Sequence, residues 1–465
     1  MKLYNTLKRE VEELKPLNPP TVTIYTCGPT VYDYPHAGNW FTFIRYDLLV
    51  RALKASGLQP KWVMNITDVG HLTSDADEGE DKLEKGARRE GKTAQEIADF
   101  YTGYFIKGLE RLNITQPAEL PRATEHIPEQ IELIQKLEEK GFTYQTSDGV
   151  YYDTSKFPRY TNFARLDLDE QQAGARVERN PEKRNQTDFA LWKFSPAGLQ
   201  RDMEWDSPWG KGFPGWHLEC SAMSMKYLGE TMDIHAGGID HIAVHHTNEI
   251  AQTEAITEKP TAQIWMHSNH ITINGEKVSK SLGNGITLED IEARGIPLEA
   301  FRLHVLESHY RSQSKFSWDS LQAAQNRLTS YERMADLQFQ AVNHDDNWLS
   351  DLGNMDAINS AMQDDLNTPL VLATISCTAT LAEGRLVSAS EINIFREVLS
   401  HLDQLLGLRL GERKDIQDSQ KELITQREDA RKNKDWAKSD ELRDRLKEQG
   451  IGVRDTEYGP IWYRI

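Results

Sequence analysis

Cys27, Cys220, His245 and Glu249 are side chains of the types that hold a divalent metal. The last two stand four apart in the helix-prone run Val244-His-His-Thr-Asn-Glu-Ile-Ala-Gln-Thr-Glu-Ala255, so an imidazole and a carboxylate share one helix face and can meet one ion. Two thiolates, one imidazole and one carboxylate suit Zn²⁺, which accepts S, N and O ligands in a tetrahedron. From spacing alone the plainer reading is two ordinary buried thiols and a surface pair, because the four are scattered and no Cys-x-x-Cys is present.

Two further segments suit phosphate. Pro35-His-Ala-Gly-Asn39 leads into a helix, where backbone N–H groups and the helix dipole favour anions and His36 can donate to a phosphate oxygen. Lys277-Val-Ser-Lys-Ser281, followed by Leu-Gly-Asn, offers two ammonium groups and two hydroxyls to a polyphosphate. Taken singly, the first reads equally as a structural histidine and the second as solvated surface. A third segment, Gly86-Ala-Arg-Arg-Glu-Gly-Lys-Thr93, matches the phosphate-loop pattern letter by letter. The pattern needs a buried strand before it, and here it follows the acidic run Asp75-Ala-Asp-Glu-Gly-Glu-Asp-Lys-Leu-Glu-Lys85. It is read as a solvated helical loop.

The elements that must position these groups follow from periodicity. Thr21-Val-Thr-Ile-Tyr25 alternates as a strand; Ile44, Leu48 and Ala52 recur at helical spacing; Gly57 marks a stop; Trp62-Val-Met-Asn-Ile66 is a second buried strand. A βαβ unit is thus expected to open the chain, with the Cys27–Asn39 loop and Thr67-Asp68 facing one crevice beyond the strand ends. Prolines 117 and 121 mark a boundary, and a hairpin is expected around Ser147-Asp-Gly149. Beyond about residue 290 the pattern is helical. From about 425 a charged helix ending at Gly450 precedes two short strands, Ile451-Gly-Val-Arg and Pro460-Ile-Trp-Tyr.

At 465 residues the chain is expected to hold about three domains. It has no apolar run long enough to span a bilayer, and its first ten residues lead us to expect no export signal. Three cysteines, an odd number, fit free thiols or metal ligands in a reducing cytoplasm rather than a disulfide framework. A net charge of −18 argues against a protein that coats nucleic acid, so DNA is not an expected partner, whereas one folded RNA meeting a local basic surface is compatible.

Across essentially the entire chain these residues resemble the cysteinyl-tRNA synthetases, class I aminoacyl-tRNA synthetases. His36-Ala-Gly-Asn39 resembles the family's His-Ile-Gly-His signature and Lys277-Val-Ser-Lys-Ser281 its Lys-Met-Ser-Lys-Ser signature. Asp188-Phe-Ala-Leu-Trp-Lys193, Met203-Glu-Trp-Asp-Ser-Pro-Trp209, Gly212-Phe-Pro-Gly-Trp-His-Leu-Glu-Cys220 and His245-His-Thr-Asn-Glu249 are similar to segments of cysteine-specific members. Asp364-Asp-Leu-Asn-Thr-Pro369 and Asp435-Trp-Ala-Lys-Ser-Asp-Glu-Leu-Arg443 resemble the helical and anticodon-side regions. Two positions depart: Asn39 replaces the second signature histidine and Val278 the methionine.

The resemblance implies an α/β Rossmann-type parallel-sheet catalytic domain with an inserted module, then a helical bundle and a small carboxyl-terminal domain. The expected segments are the first catalytic half over 1–120, a connective module over 121–200 and the second half over 201–265. A stem-contact region with the lysine loop follows over 266–340, then an anticodon-side bundle over 341–410 and a tRNA-binding domain over 411–465. The implied reaction is ATP-dependent joining of L-cysteine to tRNA(Cys) through a cysteinyl-adenylate. His36, Asn39, Lys277 and Lys280 would serve the phosphates, Asp240 of Gly237-Gly-Ile-Asp240 the ribose, and Thr67, Trp216 and His235 the amino acid. Cys27, Cys220, His245 and Glu249 fall on the family's ligands for one Zn²⁺ per chain, with Mg²⁺ accompanying ATP. The resemblance implies a monomer in the cytoplasm, with no membrane partner. The ligase of mycothiol synthesis, which joins cysteine to an amino-sugar, resembles the same motifs but has a shorter carboxyl half; the tail from about 425 favours the tRNA enzyme.

Overall fold

The computed structural model describes residues 1–69, 82–165, 180–195, 201–273, 276–277, 285–341, 355–382, 385–456 and 458–465. The first element is a hairpin, β1 (Lys2–Asn5) and β2 (Glu10–Glu13), so the βαβ unit comes second rather than opening the chain. The Glu-Val-Glu-Glu of β2 has no buried face to betray it. The hairpin is fixed instead by tertiary bonds: the Asn5 side chain donates to Gln263 O at 2.9 Å and accepts from Trp265 N at 3.2 Å, and Thr6 N donates to Trp265 O at 2.8 Å.

The βαβ unit is β3 (Thr21–Thr26), α1 (Ala37–Ala55) and β4 (Gln59–Met64), with β3 and β4 parallel from Thr21↔Gln59 to Thr26↔Met64. Val22 and Ile24 are buried, as the alternation predicts, and Gly57 takes φ +78°, a left-handed conformation that ends the helix without Cβ strain. Arg45, buried in α1, donates to Ser268 Oγ, Asn269 O and Ser314 Oγ at 2.6–2.9 Å, which locks the helix to the far side of the sheet.

The phosphate-loop lookalike is, as read, helical: Gly86 lies within α2 (Lys82–Glu90) and Thr93 caps α3 (Ala94–Arg111) through a reciprocal box with Glu96. Lys92 Nζ sits 3.1 Å from Glu90, committed to an acid rather than to a phosphate.

After α4 (Ile127–Glu139), strands β5 (Thr143–Thr146), β6 (Gly149–Tyr152), β7 (Phe189–Phe194) and β8 (Gly212–Pro214) form an antiparallel sheet in that order, including the expected hairpin. The chain continues as α5 (Trp216–Leu228), β9 (Met232–Gly238), α6 (His245–Thr257) and β10 (Ala262–Ser268). Strands β10-β9-β3-β4 make one parallel sheet. From β3 the chain winds outward to β4 and later returns to the opposite side as β9, so β3 and β9 flank the topological switch point, where such sheets bind ligands. Asp233 of β9 seals that junction by accepting from Leu17 N, Thr23 N and Thr23 Oγ at 2.6–2.8 Å. Strands β11 (Ile271–Ile273), β12 (Glu276–Lys277) and β13 (Ser314–Phe316) form a small sheet in the order β12-β11-β13.

The chain divides into two compact units, Met1–Asp290 with Tyr310–Lys315, and Ile291–His309 with Phe316–Ile465. The second is built of α7 (Leu298–Leu306), α8 (Trp318–Asp336), α9 (Met355–Gln363), α10 (Thr368–Ala382), α11 (Ile392–Leu406), α12 (Asp418–Lys432), α13 (Trp436–Glu448) and the hairpin β14 (Ile451–Thr456) and β15 (Gly459–Arg464). The terminal charged segment is two helices, not one. Lys434 adopts φ +58° and Asp435 caps the second by accepting from Lys438 N at 3.0 Å. Leu423, Leu442, Leu446, Ile451 and Trp462 share its core. Asp336, fully buried at the end of α8, accepts from Arg413 Nε at 2.7 Å, Arg413 Nη2 at 2.9 Å and Arg464 Nη1 at 2.6 Å. Among the described residues no helix is long and apolar enough to cross a membrane.

Candidate active site and metal centre

Cys27 directly follows β3, Cys220 lies in the first turns of α5, His245 opens α6 and Glu249 stands one turn further along it. One donor atom from each of the four lies within 4.8 Å of the others, and all four residues are buried. The i, i+4 face read from the helix pattern is real, but it is turned inward rather than to solvent. His245 Nδ1 contacts His217 Nδ1 at 3.0 Å, which leaves Nε2 facing Glu249 Oε1 at 3.1 Å. The two atoms form an ion pair, and neither has a hydrogen-bond partner among the described residues.

Burial and mutual proximity set the electrostatics of these donors. Burial pushes the Cys27 thiol up, and the adjacent Cys27 together with burial pushes Cys220 well above the ordinary thiol range. Against burial, which would lower it, the Cys220 and Glu249 charges raise His245 to about 10. Burial would raise Glu249, yet the neighbouring His235 and His245 hold it well below the ordinary carboxylate range. A buried carboxylate, an imidazole nitrogen facing it at 3.1 Å and two sulfurs within reach fit a soft-to-borderline divalent ion such as Zn²⁺.

Sequence reasoning missed part of this cluster. His246 Nε2 lies 3.2 Å from Cys27 Sγ, its Nδ1 contacts His267 Nε2 at 2.8 Å, and His267 Nδ1 contacts Thr6 Oγ at 2.8 Å. A second quartet, Cys27, His235, His246 and Glu249, therefore also meets within 4.8 Å. The His245-His246 doublet was the available signal, but helical spacing alone does not bury both members.

The residues expected at the amino-acid pocket surround these donors. His235, on β9, donates through Nε2 to Glu249 Oε2 at 2.8 Å. Trp216, at the start of α5, packs against the His245 ring with centroids 4.5 Å apart. Buried Thr67 accepts from Asn65 Nδ2 at 3.0 Å and donates to Glu219 Oε2 at 2.9 Å. The Cys27–Asn39 loop reaches the β4 end as expected: Val31 N donates to Thr67 O at 3.1 Å and Thr67 N to Pro29 O at 3.0 Å. Gly28 makes this closeness possible, since a Cβ there would stand 1.7 Å from Asn65 O.

A crevice of about 240 Å³ opens beside the cluster, lined by Cys27, His36, Asn39, Asp240, His241 and Ser268 among others. His36 caps α1, and its ring and the Asn39 side chain bond each other's backbone. Asp240 sits in the turn after β9. Of the lysine loop, the Lys277 backbone ends β12; its side chain and residues 278–284, Lys280 included, lie outside the described residues.

Residues 13–326 match the family described as tRNA synthetases class I (C) catalytic domain, and residues 413–462 match the cysteinyl-tRNA ligase anticodon binding domain. The chain is 46% identical to cysteine–tRNA ligase 1 of Burkholderia lata, over 98% of this chain and 95% of that protein. It is 41% identical to the cysteine–tRNA ligase of Treponema denticola over the full length of both. A methionyl-tRNA synthetase of Mycobacterium tuberculosis bound by methionyl-adenylate superposes with a TM-score of 0.60 at 13% identity, covering 86% of this chain and 93% of that one, a likeness of fold. Full-length identity of this order and the two matched domains place the chain in the cysteine–tRNA ligase family of class I aminoacyl-tRNA synthetases.

Proposed function

We propose that the chain joins L-cysteine to tRNA(Cys) in two steps, with selection of the substrate thiol at the Cys27, Cys220, His245 and Glu249 centre. The convergence of those four donors beside the switch-point crevice carries the reading. In the first step a cysteine carboxylate oxygen attacks the α-phosphorus of ATP in line and the bond to the bridging oxygen of pyrophosphate breaks, giving cysteinyl-adenylate. In the second a hydroxyl of the tRNA terminal ribose takes the acyl group and AMP leaves. The carboxylate is already a nucleophile, so the protein's task in the first step is positioning and stabilising charge on the phosphates.

His36 and Asn39 are assigned to the phosphates near the reacting centre, Lys277 and Lys280 to the departing pyrophosphate with its Mg²⁺, and Asp240 to the ribose. Thr67, Trp216 and His235 are assigned to the amino acid. A Zn²⁺ held by the four donors would take a thiolate as a further ligand and refuse a serine hydroxyl, which stays protonated and hard. Such discrimination matters because an apolar pocket separates near-isosteres by only ~1–3 kcal/mol. The tRNA-binding segment is assigned to 411–465, after the bundle at 341–410; the catalytic halves are 1–120 and 201–265, the connective module 121–200 and the stem-contact region 266–340. We further assign the chain to the cytoplasm as a monomer; its three cysteines are free thiols, which suits a reducing compartment.

The test is cysteine-dependent exchange between ATP and pyrophosphate, followed by tRNA charging, on the full chain and on a chain ending near residue 410. Exchange is expected to survive truncation while charging collapses. Equal loss of both would show the tail to be a folding element, and no exchange from the full chain would overturn the reading.

A further inference from the structure

His36 is an unusual helix cap, because the position favours short oxygen-bearing side chains. Here the Asn39 N–H is shared between His36 O at 2.9 Å and Nδ1 of the imidazole at 3.3 Å, and Asn39 Oδ1 accepts from His36 N at 3.0 Å. A backbone N–H only donates, so Nδ1 is the unprotonated nitrogen, and a neutral ring carries its proton on Nε2. Gly38 adds a second restraint. A Cβ there would stand 3.0 Å from His36 Cε1 and 3.1 Å from Nδ1, so the ring lies across the bare glycine.

We propose that Asn39 is a positioning residue: its side-chain oxygen anchors the His36 backbone, closes the reciprocal box and thereby fixes His36 as an Nε2–H donor at the edge of the crevice. This rests on the proposed assignment of His36 to the ATP phosphates, and it makes the service of Asn39 to those phosphates indirect, through His36. It also explains how asparagine replaces the histidine of the family signature. Asn Oδ1 and His Nδ1 are both acceptors attached to Cγ, so either closes the box from the same helix position. The same chain shows how little the position demands: in the caps of α3 and α8, Glu96 and Ser320 do the equivalent work for Thr93 and Ser317.

The experiment uses full-length protein labelled with ¹⁵N in its imidazoles, with the His36 resonances assigned by their loss in His36→Gln. Imidazole shifts report the tautomer, and ATP–pyrophosphate exchange supplies kcat and KM for ATP. The wild type is expected to hold one neutral tautomer, protonated at Nε2. Asn39→Ala is expected to mix the tautomers and lower kcat about tenfold, the scale of one lost hydrogen bond, with a much smaller change in KM. Asn39→Ser, which keeps a neutral acceptor as Ser320 does, is expected to restore the tautomer and most of kcat. If Asn39→Ala loses exchange while His36 keeps its Nε2–H form, Asn39 acts on the phosphates directly and the proposal is overturned. A changed tautomer with unchanged exchange would remove His36 from phosphate chemistry, overturning the functional assignment and the proposal with it.

Discussion

Two carboxylates, one in each unit of the molecule, are fully buried, and their surroundings differ in kind. Asp336 receives three guanidinium hydrogen bonds from Arg413 and Arg464 and so has its charge matched inside the protein. Glu249 receives one, from His235, and its Oε1, without a hydrogen bond among the described residues, faces His245 Nε2 at 3.1 Å with two thiols nearby. Burying a charge costs several kcal/mol unless it is compensated. The first carboxylate is compensated by guanidinium groups, which do not ligate metals, and reads as structure. The second is held among imidazoles and thiols, groups that can themselves ligate a divalent ion. The contrast teaches that the sign of a ligand site is the kind of group that surrounds the carboxylate, since acidity and burial are common to both.

The largest effect expected from this contrast is one of pH. In the metal-free protein the Cys27 and Cys220 thiols are raised, so near neutrality both hold protons that a bound metal must displace. Zinc affinity should therefore fall as pH is lowered, on the order of 10²-fold per unit if two protons are released. A competition titration against a chelator between pH 6.5 and 8 reads the slope, and a flat profile would place the metal elsewhere. Next in size is Glu249→Gln, which keeps the shape and removes the carboxylate charge. Stoichiometric zinc should be lost and cysteine-dependent exchange should drop by about 10²-fold or more, with metal analysis and exchange measured on the same preparation. The smallest effect is Asp336→Asn. It strands two arginines that retain partial access to water, so we expect a loss of about 2 kcal/mol in the unfolding of the second unit and no change in zinc content or exchange. Urea unfolding followed by a tryptophan signal checks it; a fall in exchange would erase the distinction between the two carboxylates.

The elements that local periodicity controls were legible. The Val22 and Ile24 alternation, the helical run through Ile44 and Leu48 and the stop at Gly57 describe β3 and α1 closely, because each depends on neighbours along the chain. The His245 and Glu249 face was legible for the same reason. That Cys27 and Cys220 join it was not: their meeting depends on β3 and β9 lying side by side in a parallel sheet, which no spacing encodes, and only the family resemblance supplied it. The hairpin of β1 and β2 was invisible because its stability comes from Asn5 and Thr6 bonding to distant Trp265 and Gln263. The break between α12 and α13 was hidden by uniform charge on both sides of Lys434. The basic loop at Lys280 lies outside the described residues.

The sheet order also sets a timetable. Strand β3, with Cys27 at its end, leaves the ribosome about 220 residues before Glu249. At synthesis rates of roughly 5–20 residues per second, that interval is on the order of tens of seconds. During it β3 can pair with β4, but its other edge waits for β9, and the first thiol waits for the second thiol, the imidazole and the carboxylate. An open strand edge and a lone thiol are both liabilities in a nascent chain, one toward aggregation and the other toward oxidation. The arrival of β9 and α6 removes both together, and β10 then covers the edge that β9 exposes, so the donor cluster closes one strand before the sheet is complete.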